Sequence, residues 1–172
     1  MGRIGRYFHE EMNKTRPLYV VLCGGVLWTA ALTVRLTTAA PYVFLHNMAG
    51  QVALPPTWLM SLLWLGFFFL IGAAWGYVLG LKGHRPRRDT WRFRGSMYFL
   101  LSVVCALLWY RLLFGAWAVF LSWLFLLADL AVTLVTALCW WRVSRAVGVI
   151  LLVFALFLLF LFGCQLAIIC HL

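Results

Sequence analysis

The chain has 172 residues, of which 66% are hydrophobic and only 10% are charged. A soluble domain carries about 25% charged residues, so this composition excludes a water-soluble globule, and its apolar excess also excludes a disordered chain. The net charge of +10 arises from 14 Lys and Arg against four Asp and Glu. In a soluble protein that balance would indicate nucleic-acid binding, but here it fits a membrane topology signal, and we expect no nucleic-acid partner.

Five apolar stretches follow one another along the chain, and each has about the 20 residues that a helix needs to cross a bilayer. The apolar runs are continuous and not alternating, which favours helices over a β-barrel. We therefore predict an all-α membrane protein, a five-transmembrane-helix bundle over 18–172, after a basic tail or interfacial helix over 1–17. The predicted spans are 18–36, 57–80, 96–113, 117–140 and 146–169.

The Lys and Arg residues predict an orientation. Twelve of the 14 lie in the N-terminal tail, in the charged loop expected over 81–95, or in the break at 142–145. The opposite side holds only Arg35 and Arg111. By the positive-inside rule, the N-terminus is predicted inside and the C-terminus outside, in a bacterial cytoplasmic membrane whose anionic lipid the basic segments would contact.

The sequence contains none of the short motifs of hydrolases, zinc proteases or P-loop proteins. Its four histidines lie in four different segments, so we assign no metal site, no cofactor and no catalytic residue. The five cysteines lie in or beside apolar runs without a C-x-x-C pair. They are interpreted as small buried apolar residues.

Asp129 is the only acid at membrane depth. A carboxylate there is costly, so it should face the bundle interior and be either protonated or hydrogen-bonded. On a helix it shares one face with Ser122, Thr133, Thr136 and Trp140, within about 40°. This polar stripe indicates either the lining of a ligand cavity or hydrogen bonding between helices.

The second span carries an aromatic face formed by Trp64, Phe68, Ile71 and Trp75. Aromatic walls suit a flat apolar ligand, through area burial and stacking, although plain packing between helices explains the same pattern. Both interpretations remain open.

Gly72, Gly76 and Gly80 form a ridge of small residues along the second span. Ser102 and Ala106 make a weaker pair of the same kind in the third. Small residues at this spacing allow close helix approach, either within the chain or in a homodimer.

These features together resemble the TspO/MBR family, the translocator proteins or tryptophan-rich sensory proteins. The resemblance covers about residues 18–170. It rests on Gly24-Gly25, on Pro55-Pro56-Thr57-Trp58 with Trp64 six residues later, on Trp109 running to Phe114-Gly115, and on Trp140-Trp141-Arg142-Val143-Ser144.

The resemblance implies a five-helix bundle, often dimeric, whose cavity binds porphyrins, haem precursors, sterols or drug-like aromatics. Phe157 stands where the family has a fifth-span Trp, and Gln165 where it has an Asn. The expected ligand-binding residues are Trp64, Phe68, Trp109, Asp129, Phe157 and Gln165, with the segment between spans 1 and 2 as a lid.

Three functions follow as hypotheses. The first is a membrane binding protein or sensor for a planar hydrophobic molecule such as a tetrapyrrole or a sterol-like compound. The second is an enzyme that degrades porphyrin under light, which some bacterial relatives resemble; because the fifth-span Trp is replaced by Phe157, we do not favour an enzyme. The third is a non-binding structural partner of another membrane protein.

Overall fold

A computed structural model describes residues 16–38, 57–82 and 86–171. Within these ranges the chain forms five helices and no strand. They are α1 (Pro17–Thr37), α2 (Thr57–Gly80), α3 (Pro86–Phe114), α4 (Val119–Trp141) and α5 (Arg145–His171). The predicted tail or interfacial helix and the predicted lid lie almost wholly outside the described residues.

Each of the five helices is long and apolar enough to cross a membrane, which confirms the predicted fold class. The largest difference in bounds is at α3, which begins at Pro86, ten residues before the predicted third span. The prediction of a loop was therefore wrong from residue 86 onward. Pro86 favours the first turn of a helix and Asp89 lies in that turn, so the charged segment forms the start of α3.

A short turn joins α3 to α4. The amides of Gly115 and Ala116 both donate to the carbonyl oxygen of Arg111, and Trp117 has a φ of 55°, in the left-handed region. This turn moves the start of α4 to Val119, two residues beyond the predicted start of the fourth span.

Helices α1 and α2 form an antiparallel hairpin in which their backbones touch. A Cβ atom on Gly72 would lie 2.6 Å from the carbonyl oxygen of Cys23. One on Gly76 would overlap the carbonyl oxygen of Tyr19. The glycine ridge of α2 therefore makes the α1 contact possible, so its packing is within the chain.

Helices α3, α4 and α5 form the second part of the bundle. Its interior includes the fully buried side chains of Leu126, Trp140 and Leu158. Helix α2 joins the two parts through aromatic contacts. Near one end the Trp75 ring lies 5.5 Å from that of Phe99, and the Trp75 Nε1 donates to Ser96 Oγ at 3.3 Å.

Hydrogen bonds connect the helix ends on one side of the bundle. The Arg16 amide donates to the Gly80 carbonyl oxygen, and Arg92 Nη2 donates to that of Leu79. Arg88 Nη2 donates to the carbonyl oxygen of Val143. We call this side the basic end; the cations there whose side chains the structure describes are Arg16, Lys82, Arg88, Arg92, Arg94, Arg142 and Arg145. Arg35 and Arg111 lie at the other end, so the structure shows the charge asymmetry, while the orientation in the membrane stays a prediction.

Candidate ligand-binding site

Trp64 of α2 lies at the centre of a group of aromatic rings and is only 3% exposed. Its ring centre is 4.5 Å from that of Phe68 and 5.4 Å from that of Trp109 on α3. The ring of Tyr110 stacks on it at 5.2 Å. The predicted aromatic face of α2 therefore points into the bundle, toward α3.

Gln165 of α5 holds Trp109 in place. The Trp109 Nε1 donates to Gln165 Oε1 at 2.8 Å. The Gln165 Nε2 donates to the carbonyl oxygen of Val119 at 2.9 Å and to Ser122 Oγ at 2.6 Å. One amide thus connects α3, α4 and α5, and its oxygen and nitrogen are both used.

Phe157 reaches the same region from α5. Its ring stacks on that of Phe67 at 4.6 Å, and the ring of Phe154 lies 5.7 Å from Phe67. These rings form a second group beside that of Trp64, and we call the two groups together the aromatic cluster. The first group is Trp64, Phe68, Trp109, Tyr110 and Phe114, and the second is Phe67, Phe154 and Phe157.

One polar atom inside the aromatic cluster lacks a partner. The Nε1 of Trp64 is buried and donates no hydrogen bond within the part of the chain that the structure describes. A buried donor without an acceptor costs about 1–3 kcal/mol. An acceptor atom on a ligand that enters between the rings would remove that cost.

Asp129 lies elsewhere, at the contact between α3 and α4, and is 0% exposed. Its Oδ1 accepts hydrogen bonds from Ser102 Oγ at 2.5 Å and from Thr133 Oγ1 at 3.3 Å. Its Oδ2 is buried without a partner among the described residues. The structure thus places Asp129 in hydrogen bonds between helices; its direct contact with a ligand stays a prediction.

The other polar residues on the predicted face of α4 point to different partners. Ser122 accepts from Gln165, and Thr136 donates to the carbonyl oxygen of Val132 in its own helix. All of these side chains are buried, as the spacing predicted. Ser122 bonds to α5, Asp129 and Thr133 share Ser102 on α3, and Thr136 bonds within its own helix, so their hydrogen bonds do not converge on one point.

The structure brings Trp64, Phe68 and Trp109 together in one group of rings, with Gln165 bonded to Trp109, and it places Phe157 in the second group. Their contact with a ligand stays a prediction. Phe67, Tyr110, Phe114 and Phe154 were not among the expected site residues. Phe67 lies three residues after Trp64, a helical spacing that could have revealed it. Phe154 precedes Phe157 by the same interval.

A concave feature lies on the outer surface of the α1–α2 hairpin, away from the aromatic cluster. This outer groove has a volume of about 360 Å³ and is lined almost entirely by apolar atoms of Gly25, Trp28, Leu65, Gly66 and Phe69. Trp28 is 38% exposed and Phe69 46% exposed. In a membrane this groove faces the lipid chains.

The described residues contain no group of three or more His, Cys, Asp or Glu that could hold a metal ion. The candidate site therefore consists of aromatic rings, one amide and one unpaired indole donor. That chemistry suits a flat apolar molecule with a hydrogen-bond acceptor.

Five apolar helices and an interior aromatic cluster define the class, a polytopic helical membrane protein. A family model, that of the TspO/MBR family, matches residues 18–170, nearly the whole chain. The protein therefore belongs to the TspO/MBR family. Searches of curated proteins and of solved structures give no match.

Proposed function

We propose that this TspO/MBR protein binds a planar hydrophobic molecule, such as a tetrapyrrole or a sterol-like compound, at the aromatic cluster. Family membership supports a binding or sensing role. The observation that carries the proposal is the buried, unpartnered Nε1 of Trp64 among stacked rings. It offers both stacking surface and one directed donor.

The contacts around Trp64 support one mode of binding. Its ring lies between α2 and α3, against Trp109 and Tyr110, so a flat ligand would separate these rings and replace their mutual contacts with its own faces. Gln165 holds the ring of Trp109 through a hydrogen bond. We therefore expect the ring of Trp64 to move when the ligand enters, and its Nε1 to donate to a carboxylate or carbonyl oxygen of the ligand.

The test is a titration of the full-length protein, purified in detergent, with protoporphyrin IX, followed by porphyrin absorbance and by quenching of tryptophan fluorescence. The variant Trp64→Phe keeps an aromatic ring but removes the donor, so we expect about tenfold weaker binding, roughly the value of one hydrogen bond to a charged group. The matched control is Trp28→Phe in the outer groove. It should bind like the unmodified protein.

Two outcomes would contradict the proposal. If Trp28→Phe weakens binding and Trp64→Phe does not, the molecule occupies the outer groove. If protoporphyrin leaves the spectra unchanged, the protein is better described as a structural bundle that docks onto another membrane protein. The direct contacts of the cluster rings with one another, 4.5 to 5.4 Å around Trp64, favour that second candidate.

The same titration separates binding from photochemistry. Reversible spectral changes in the dark belong to a binding protein. An irreversible loss of the porphyrin Soret band that requires both protein and light would identify a porphyrin-degrading enzyme.

A further inference from the structure

At the basic end, Arg94 of α3 and Arg142 of the turn between α4 and α5 lie against one tryptophan. The guanidinium carbon of Arg142 lies 4.2 Å from the ring centre of Trp91, and that of Arg94 lies 6.0 Å from it. Both distances end at the same ring, so the two guanidinium carbons are no more than about 10 Å apart. Two positively charged groups thus lie against the same ring.

Acidic side chains do not account for this arrangement. The described part of the chain contains two acids, Asp89 and Asp129. Asp89 forms an ion pair with Arg92 at 3.1 Å, and Asp129 lies buried far along α4. No ion pair of Arg94, Arg142 or Arg145 with a described residue is present, and all three side chains are exposed.

The neighbouring arginines, Arg88 and Arg92, form hydrogen bonds that fix the first turns of α3 in the bundle. Arg88 donates to the carbonyl oxygen of Val143, which attaches the first turns of α3 to the turn between α4 and α5. Arg92 donates to the carbonyl oxygen of Leu79 and so attaches α3 to the end of α2. Trp91 lies between Arg88 and Arg92 in sequence, so its ring has a fixed position against which Arg94 and Arg142 lie.

Helix ends of both signs lie at the basic end. Helices α1, α3 and α5 begin there with the partial positive charge of a helix N-terminus, while α2 and α4 end there with the opposite charge, so the positive potential comes mainly from the arginine side chains. A tryptophan at this height is also typical of the level of lipid headgroups. The positive charge, the position of Trp91 at the level of the headgroups and the two guanidinium groups on its ring all favour the same partner, a lipid with an anionic headgroup.

We propose that Arg94 and Arg142, which both lie against the ring of Trp91, and Arg145 at the start of α5 bind the phosphate of an anionic phospholipid. A guanidinium donates two parallel hydrogen bonds to phosphate oxygens, which a positive charge alone does not provide. The topology signal needs only the number of basic residues on one side. The contact of Arg142 with Trp91 and the connection of α3 to the α4–α5 turn go beyond that need.

The test uses the full-length protein purified in detergent, so that the direction of membrane insertion does not affect the result. Native mass spectrometry measures how much phosphatidylglycerol and how much phosphatidylcholine of equal chain length stay bound. We expect selective retention of phosphatidylglycerol, and about tenfold weaker retention in the double variant Arg94→Gln/Arg142→Gln, since each basic residue contributes to binding of anionic lipid.

The matched control, Arg35→Gln/Arg111→Gln, removes the same charge from the opposite end and should retain phosphatidylglycerol like the unmodified protein. A second variant, Arg94→Lys/Arg142→Lys, keeps the charge and should lose retention by several-fold, because lysine lacks the paired donors.

Three results would overturn the proposal. They are equal retention of both lipids, equal losses in the two glutamine variants, and full competition by soluble glycerophosphoglycerol, which would indicate a site for a free phosphate ester. A thermal melt of each variant confirms that the bundle is intact.

Discussion

The indole of Trp109 and the side-chain amide of Gln165 form a hydrogen bond of 2.8 Å between α3 and α5, across 56 positions of sequence. The same amide donates to Val119 and Ser122 at the start of α4. A single side chain therefore fixes the relative positions of three helices beside the aromatic cluster.

Replacing Gln165 by leucine should lower the stability of the protein. The change leaves the Trp109 Nε1 without its acceptor in an apolar interior and removes both bonds to α4. Hydrogen bonds between membrane helices contribute about 0.6 kcal/mol each, so we expect a loss of about 1–2 kcal/mol, visible as a lower melting temperature in detergent. Leu166→Ala, on an exposed position next to it, should have a much smaller effect. Equal melting temperatures for Gln165→Leu and the unmodified protein would contradict this role.

The hydroxyl of Ser102 should stabilise the bundle through Asp129. It donates the shorter of the two hydrogen bonds to the Asp129 carboxyl, in a fully buried position. Ser102→Ala should therefore cost about 1–2 kcal/mol, and much less when Asp129 is already replaced by leucine.

A double-mutant cycle of thermal melts measures this coupling. The control is Thr136→Val, whose lost hydroxyl bonds, among the described residues, to a carbonyl oxygen of its own helix. It should melt close to the unmodified protein. Strictly additive effects of Ser102→Ala and Asp129→Leu would show that the two side chains do not support each other.

The glycine ridge provides a comparison within one helix. An added methyl group at Gly76 would overlap the backbone of α1, whereas a Cβ atom on Gly66 meets nothing within 4 Å. Gly76→Ala should therefore destabilise the α1–α2 hairpin by about 1–3 kcal/mol, the usual cost of overpacking. Gly66→Ala should be neutral or slightly stabilising, because alanine favours a helix more than glycine does. Melting temperatures of the two variants test this directly, and a tolerated Gly76→Ala would show that α1 can move away from α2 without loss.

The charge asymmetry predicts the orientation in the membrane. With the basic end inside, the C-terminus of α5 lies outside, since α5 starts at the basic end. In a bacterial host, alkaline phosphatase fused to the C-terminus should be active, while green fluorescent protein fused there should stay dark. The reverse pattern would place the basic end outside.

The sequence predicted the helices better than their partners. Hydropathy identified all five spans, because a helix in a bilayer must be apolar along its whole length. The start of α3 was missed, since arginines in 86–95 look like a solvated loop until Arg88 and Arg92 are seen bonding to neighbouring helix ends. The spacing on α4 correctly predicted buried polar side chains.

What the spacing could not give is which helix each face meets. Asp129 and Ser122 share one face of α4, yet one bonds to α3 and the other to α5. The glycine ridge of α2 likewise predicted a close contact without naming α1. Which helix a face contacts depends on the tertiary arrangement, and the periodicity of a single sequence does not contain that information.

The division of the bundle into a hairpin and a three-helix part has a consequence for biosynthesis. Because a chain leaves the ribosome N-terminus first, α1 and α2 can complete their glycine-lined contact before the other helices are made. The rings of Trp64 and Phe67 then face lipid until α3 supplies Trp109 and α5, the last of the five helices to be made, supplies Phe157. The aromatic cluster can therefore be completed only after α5 has been made.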